Sequence, residues 1–192
     1  MSDNPESKQL VRRVKAGETG AFQQLVEKYQ HLAFTVAYNI VKNREDAEEV
    51  VSDAFIKVYR NIVQHNETAK FSSWLYKIVY NTALSRLRKK KLEVFSLDAS
   101  DYEKDYGTST PDGWNNLVAN DQKKHLQKAL NNLAEPDRLV LTLFYLAEEG
   151  LNEICEITEE KKSTVKVRLH RARARLYDQL CDQLKEEVKI LI

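Results

Sequence analysis

The chain has 192 residues, with 30 basic and 29 acidic side chains and a net charge of +1 at neutral pH. That length accommodates one domain or two small ones, and the near-zero balance by itself gives no reason to expect an anionic partner, so any such reading must come from how the charges are distributed. Five glycines and three prolines (Pro5, Pro111 and Pro136) leave little to interrupt helices, so an all-α chain is expected, and no apolar run approaches the roughly 18 residues that a membrane span needs.

From Phe22, the apolar residues Leu25, Val26, Tyr29, Leu32, Val36, Ala37 and Ile40 recur at steps of three and four, which predicts a long helix facing a core. Asn43 reads as the cap of a second helix with Asp46 in its first turn, and Ala47, Val50, Val51, Ala54, Phe55, Val58, Tyr59 and Ile62 as its buried stripe. A loop over 64–70 follows. Ser72 reads as the N-cap of a third helix carrying Trp74, Leu75, Ile78, Val79 and Leu87, which runs into a basic cluster, Arg86, Arg88, Lys89, Lys90 and Lys91. These helices make a bundle of about 85 residues, a size that usually folds independently.

Residues 96–116 carry Asp98, Asp101, Glu103, Asp105 and Asp112 against Lys104, and Gly107, Ser109, Pro111 and Gly113 break any period, so an extended acidic linker is expected there. Roughly 20 such residues reach at most about 70 Å. Beyond it, Leu126, Ala129, Leu130 and Leu133 mark a helix. Pro136 starts another with Leu139, Val140, Leu143 and Phe144, which Gly150 is expected to end. Ile154 and Ile157 share one side of a short helix ending at Thr158. From Lys161 to Arg175, Val165, Leu169, Ala172 and Leu176 form an apolar stripe that leaves Lys166, His170 and Arg171 on a basic outer face. The pair suggests a helix-turn-helix. A last stretch from Leu180, with Leu184, Val188 and Leu191 on one side, reads as either a packed extension or a docking surface.

Charge is segregated along the chain. Glu45, Asp46, Glu48, Glu49 and Asp53 cluster in one segment and the bases from Lys77 to Lys91 in another, which suggests two different partners. Cys155 and Cys181 lack metal-type spacing and read as reduced thiols of a cytoplasmic protein, in keeping with a polar N-terminus without a signal-peptide core. His31, His65, His125 and His170 are scattered, and no phosphate loop, metal pair or nucleophile motif is present, so neither an enzyme nor a metal or cofactor site is expected.

The stretches from Asp46 to Tyr59, Lys70 to Ala83, Leu133 to Arg138 and Thr164 to Arg173, in that order, resemble bacterial RNA polymerase sigma factors of the extracytoplasmic-function (ECF) type. The resemblance covers nearly the whole sequence. It implies two small helical domains, residues 1–95 (sigma region 2) and 119–192 (sigma region 4), joined by the linker over 96–118. It also implies core RNA polymerase, through its clamp and flap, and promoter DNA as partners, and an anti-sigma factor or other regulator besides.

Site roles follow from the same resemblance. Asp46, Glu49 and Asp53 share a helix face and are expected to meet the polymerase clamp. His65, Asn66, Lys70, Lys77, Asn81, Ser85, Arg86 and Arg88 are expected at the minus-10 element: the loop at His65 and Asn66 holds a flipped base, the Asn81 amide reads a base edge, and the basic residues contact phosphate. Trp74 reads as a core residue in preference to a stacking wedge. At the minus-35 element the expected residues are Lys162, Ser163, Lys166, Val167, His170 and Arg171, with Arg168 either on phosphate or paired with Glu153. The sequence departs from the family at Glu159, where a glycine is expected, at Glu160, where an apolar residue is expected, and at Val167, where a small polar residue is common. Acids beside a DNA-facing helix repel phosphate. A second reading is therefore a degenerate sigma-like protein that docks on polymerase or a regulator and reads DNA weakly.

Overall fold

The computed structural model of the chain describes residues 5–66, 68–96 and 120–190. Apart from Ser96, the expected acidic linker lies outside the described residues, as do Leu191 and the side chains of Leu184 and Val188. Every regular element among the described residues is helical.

The first unit is built from α1 (Pro5–Lys15), α2 (Thr19–Val41), α3 (Arg44–Asn61) and α4 (Phe71–Ser96), with a 3₁₀ turn over Ile62–Gln64 after α3. Helix α1 was not foreseen; its Leu10, Val11 and Val14 are buried on α2, and the Ser7 hydroxyl meets the Tyr29 hydroxyl at 2.7 Å. The expected cap of α3 is in place, with Asn43 Oδ1 accepting from the Asp46 amide at 2.8 Å. Phe71, Leu75 and Tyr76 from α4 are buried against Leu25, Val36 and Ile40 of α2. Each such large side chain withdrawn from water stabilises the unit by about 1.5–3 kcal/mol. Ser72 does not cap α4, because the helix already begins at Phe71. Tyr59 leaves the expected buried stripe and is 49% exposed.

The second unit comprises α5 (Asn120–Asn131), α6 (Glu135–Leu141) continued by a π-helical turn over Thr142–Leu146, α7 (Leu151–Thr158) and α8 (Lys162–Ile190). Leu139, Val140, Leu141, Leu143, Ile154, Ile157, Val165, Leu169 and Ala172 fill its core. Gly150 does not end the α6 segment as expected. That segment stops at Leu146, Glu148 takes a positive φ of 52°, and Gly150 is the extended N-cap of α7.

The two units share one buried cluster. Helix α2 packs on α6 and its π-helical turn, and α4 packs on α7. Asn39 Nδ2 donates to Thr142 Oγ1 across the junction at 2.9 Å, with both side chains buried.

Candidate nucleic-acid interface

Helices α3 and α4 frame a groove of about 470 Å³ lined by Lys57, Asn61, Gln64, Trp74, Ile78, Asn81, Thr82 and Ser85. The apolar stripe of α4 turns Leu75 and Val79 inward, which leaves Asn81 and Ser85 exposed one turn apart, with Ser85 Oγ donating to the Asn81 carbonyl at 2.8 Å. Lys57 Nζ donates to Thr82 Oγ1 at 3.0 Å and ties the groove walls together. Lys57, Asn61 and Gln64 were missed from the sequence. Lys57 and Asn61 are four apart at the end of α3, and Gln64 follows in the 3₁₀ turn, which was the available signal.

The preceding loop divides the two residues expected to hold a base. His65 is buried, its ring 4.9 Å from that of Trp74 and 6.0 Å from that of Phe71, and its carbonyl accepts from Lys15 Nζ at 2.8 Å. Asn66 is exposed and accepts from the Thr68 amide at 3.1 Å. Trp74, half-buried, forms part of the groove wall as well as packing on Phe71.

The segregated charges meet in space. Arg86 donates to Asp46 Oδ1 through Nε at 3.1 Å and through a terminal nitrogen at 3.0 Å, and also pairs with Glu49 at 2.5 Å, while Lys90 pairs with Asp46 Oδ2 at 2.8 Å. Burial alone would raise the Asp46 carboxyl, but Lys90 and Arg86 outweigh it and hold the group below the usual aspartate range. Asp46 and Arg86 therefore occupy each other, whereas Asp53 and Arg88 remain exposed.

On the opposite side of α3, against α2, lies a groove of about 1010 Å³ whose wall includes Phe22, Val26, Phe34, Val51, Ile56 and Tyr59, with Glu48 and Arg60 at its edges. Ile56 is 45% exposed and the Phe22 and Tyr59 rings sit 4.8 Å apart. This apolar face was also missed, because Val51, Phe55 and Tyr59 fit a core stripe equally well at helical spacing.

In the second unit, Val165, Leu169 and Ala172 anchor α8, so that Lys162, Ser163, Lys166, Val167, His170 and Arg171 all point to solvent. Glu159 takes the left-handed conformation at φ 58°, a backbone state that favours glycine. Glu160 pairs with Arg168 at 2.6 Å, so Arg168 is held inside the motif by Glu160, not by Glu153.

Acids from the start of α7 and from that turn face the first turns of α4. Glu149 accepts from Ser72 Oγ and Ser73 Oγ, each at 2.6 Å, and Lys70 Nζ stands 3.5 Å from Glu149 and 3.3 Å from Glu153. Lys77 faces Glu159 at 3.7 Å. Burial, then Glu160 and Glu135, raises the Tyr80 hydroxyl of α4 above its ordinary range. Burial would raise Glu153 too, but a backbone hydrogen bond and Lys70 hold it low. Nothing in the sequence signalled that Glu149 faces α4, since the contact spans more than seventy residues.

Comparison with known proteins places these features in a family. Residues 25–93 match the model of Sigma-70 region 2, and residues 124–176 that of Sigma-70 region 4. The chain is 34% identical over 182 residues to the ECF RNA polymerase sigma factor SigW of Bacillus subtilis, which covers 91% of this chain and 97% of that protein. It is 30% identical over 179 residues to the ECF RNA polymerase sigma-E factor of Escherichia coli, covering 90% and 93%. The fold is similar to that of the sigma factor RpoE solved with the anti-sigma factor NepR from Bartonella quintana, at a TM-score of 0.67 and 23% identity, over 83% of this chain and 96% of that one.

Proposed function

The chain belongs to the ECF sigma factors of bacterial RNA polymerase, and from that premise we propose how its two units divide the work of promoter recognition. It is a transcription initiation factor that binds core RNA polymerase and directs it to promoters. The family is non-catalytic, and this chain supplies binding energy and position without a reaction of its own. It acts in the cytoplasm, where polymerase is; no helix among the described residues is long and apolar enough to cross a membrane.

The observation that carries the division of roles is the groove beside α4. Trp74, Asn81 and Ser85 line a space open to a base flipped from the stack, with Lys57, Asn61 and Gln64 opposite. Flipping costs a few kcal/mol, which stacking on an aromatic face and hydrogen bonds to the base edge offset. Asn66, Lys70, Lys77 and Arg88 supply polar and phosphate contacts around it. His65 supports Trp74 from beneath, and Arg86 fixes the bundle through Asp46. The outward row Lys162, Ser163, Lys166, Val167, His170 and Arg171 on α8 reads the minus-35 element, where basic side chains set register on phosphate and the others meet base edges. The polymerase clamp docks on the apolar α2–α3 groove, with Glu48 in its wall and Glu49 and Asp53 exposed elsewhere on α3, while the second unit meets the flap. The reading keeps unit limits of residues 1–95 and 119–192, with the linker over 96–118 between them.

Run-off transcription with core enzyme over a broad promoter pool tests this reading. Template-specific transcripts are expected, and their absence with folded protein refutes it. The rival reading, a sigma-like protein with little hold on DNA, was motivated by Glu159 and Glu160. The pairing of Glu160 with Arg168 and the clear outer face of α8 weigh against it. A flat dependence of minus-35 binding on salt would favour it all the same, because a phosphate-contacting helix gives a steep log–log slope.

A further inference from the structure

We infer that Val167 selects a thymine in the minus-35 element by packing against the C5 methyl group of that base. The inference rests on the assignment of α8 to the minus-35 element and names the chemistry by which one of its outward residues chooses a base. Val165 and Leu169, two residues to either side, are 0% and 4% exposed, whereas Val167 is 48% exposed. Two residues turn a helix through about 200°, so Val167 lies opposite the stripe that anchors α8. It stands outside the core.

The surroundings of Val167 decide what it can touch. It lines a hollow of about 470 Å³ with Ser163, Arg168, Arg171 and Arg175, and among the described residues of that wall it is the one side chain without a polar atom. Arg168 pairs with Glu160 at 2.6 Å and Arg175 pairs with Asp137 of α6, so both cations are neutralised by acids of this chain. Arg171, one turn beyond Val167, points to solvent with it. A recognition helix offers its N-terminal residues to base edges in the major groove, and Val167 is the sixth residue of α8. Basic side chains there hold phosphate, and hydroxyls and amides hydrogen-bond. An aliphatic side chain can do neither. The apolar group that a base pair displays in the major groove is the thymine methyl. Valine is also stiff, holding essentially one χ1 rotamer in a helix, so its methyl groups meet the base with little ordering cost. A protein partner would need a wider apolar patch than one valine ringed by Lys166, Arg168 and Arg171.

The test uses holoenzyme assembled from core polymerase and the full chain, on a promoter duplex recovered from the run-off pool. Each thymine of the minus-35 element, on either strand, is replaced in turn by deoxyuridine, which keeps the base pair and removes the methyl group alone. Fluorescence anisotropy is expected to show about fourfold weaker binding at one of these positions, the worth of one methyl group withdrawn from water. Val167→Ser holoenzyme should bind the unmodified duplex about fourfold more weakly and then treat thymine and uracil alike, whereas Val167→Ile should keep the discrimination. The two losses should therefore not add, as for groups in direct contact. A methyl group releases no counterion, so the thymine-to-uracil ratio should hold when the salt concentration is doubled while overall affinity falls. A minus-35 element without thymine on either strand, a wild type insensitive to every replacement, or the same ratio in wild type and Val167→Ser overturns the inference. Run-off transcription on the same samples keeps the two readings apart. Specific transcripts alongside any of those results defeat the thymine contact alone, whereas no transcript from folded wild type defeats the sigma-factor assignment.

Discussion

Replacing Asp46 with Asn separates two roles that its sequence position leaves confounded, a polymerase contact and a structural anion. In the structure the carboxylate is buried at the first turn of α3 and holds Arg86 and Lys90, whose side chains are 32% and 56% exposed. That exposure cuts the value of each ion pair to roughly 0.5–1 kcal/mol, and the favourable interaction with the helix N-terminus adds about 0.5 kcal/mol. The amide keeps one acceptor oxygen, so a net loss of about 1.5 kcal/mol is expected, or about 3–6 °C in Tm for a chain of this length. The pH dependence has a definite sign. Because the folded-state pKa is depressed, the stabilisation is fully present above the unfolded aspartate value of about 3.9 and is lost as pH falls through the lower folded value. Melts followed by circular dichroism should therefore differ at pH 7 and draw together as pH falls through the depressed folded-state value. Affinity for core polymerase, measured alongside, should stay within twofold. An unchanged melt at pH 7 together with a tenfold loss of polymerase binding would refute the reasoning and return Asp46 to the interface.

Further outcomes are expected at the other surfaces. Asn81→Ala should weaken binding of the minus-10 strand by about 1–3 kcal/mol, read as open-complex yield with polymerase, with the melting curve unmoved. Lys166→Ala should lower minus-35 affinity evenly across sequences and reduce the salt slope by about one, measured by titration at several salt concentrations. Tyr59→Ala should loosen binding to core polymerase, seen in a pull-down or by anisotropy, while changing stability by less than about 1 kcal/mol because the ring is half exposed. Glu159→Gly should raise thermal stability by roughly 1 kcal/mol by relieving the left-handed backbone, with the weak exposed contact to Lys77 offsetting little of it.

The helices of both units were legible because burying an apolar stripe at steps of three and four leaves a local pattern. The Asn43 cap, the stripe of α2 and the anchors Val165, Leu169 and Ala172 are all of this kind. Helix α1 escaped because Leu10, Val11 and Val14 are too few to stand out from eleven mostly polar residues. The end of the α6 segment was misread because glycine serves both to close a helix and to precede one, and Gly150 does the latter.

Sequence alone was enough to establish an all-helical chain, its family, and which residues of α8 face outward, since each depends on neighbours within a few turns. It could not say which charges are spent internally. Asp46 and Arg86 lie 40 positions apart, and Glu149 and Ser72 lie 77 apart, so only the crossing of helices brings them together. An exposed acid and one satisfied by a distant base look identical in one dimension. Coulomb attraction and desolvation depend on separation and burial in space, and those are fixed only when the two units pack.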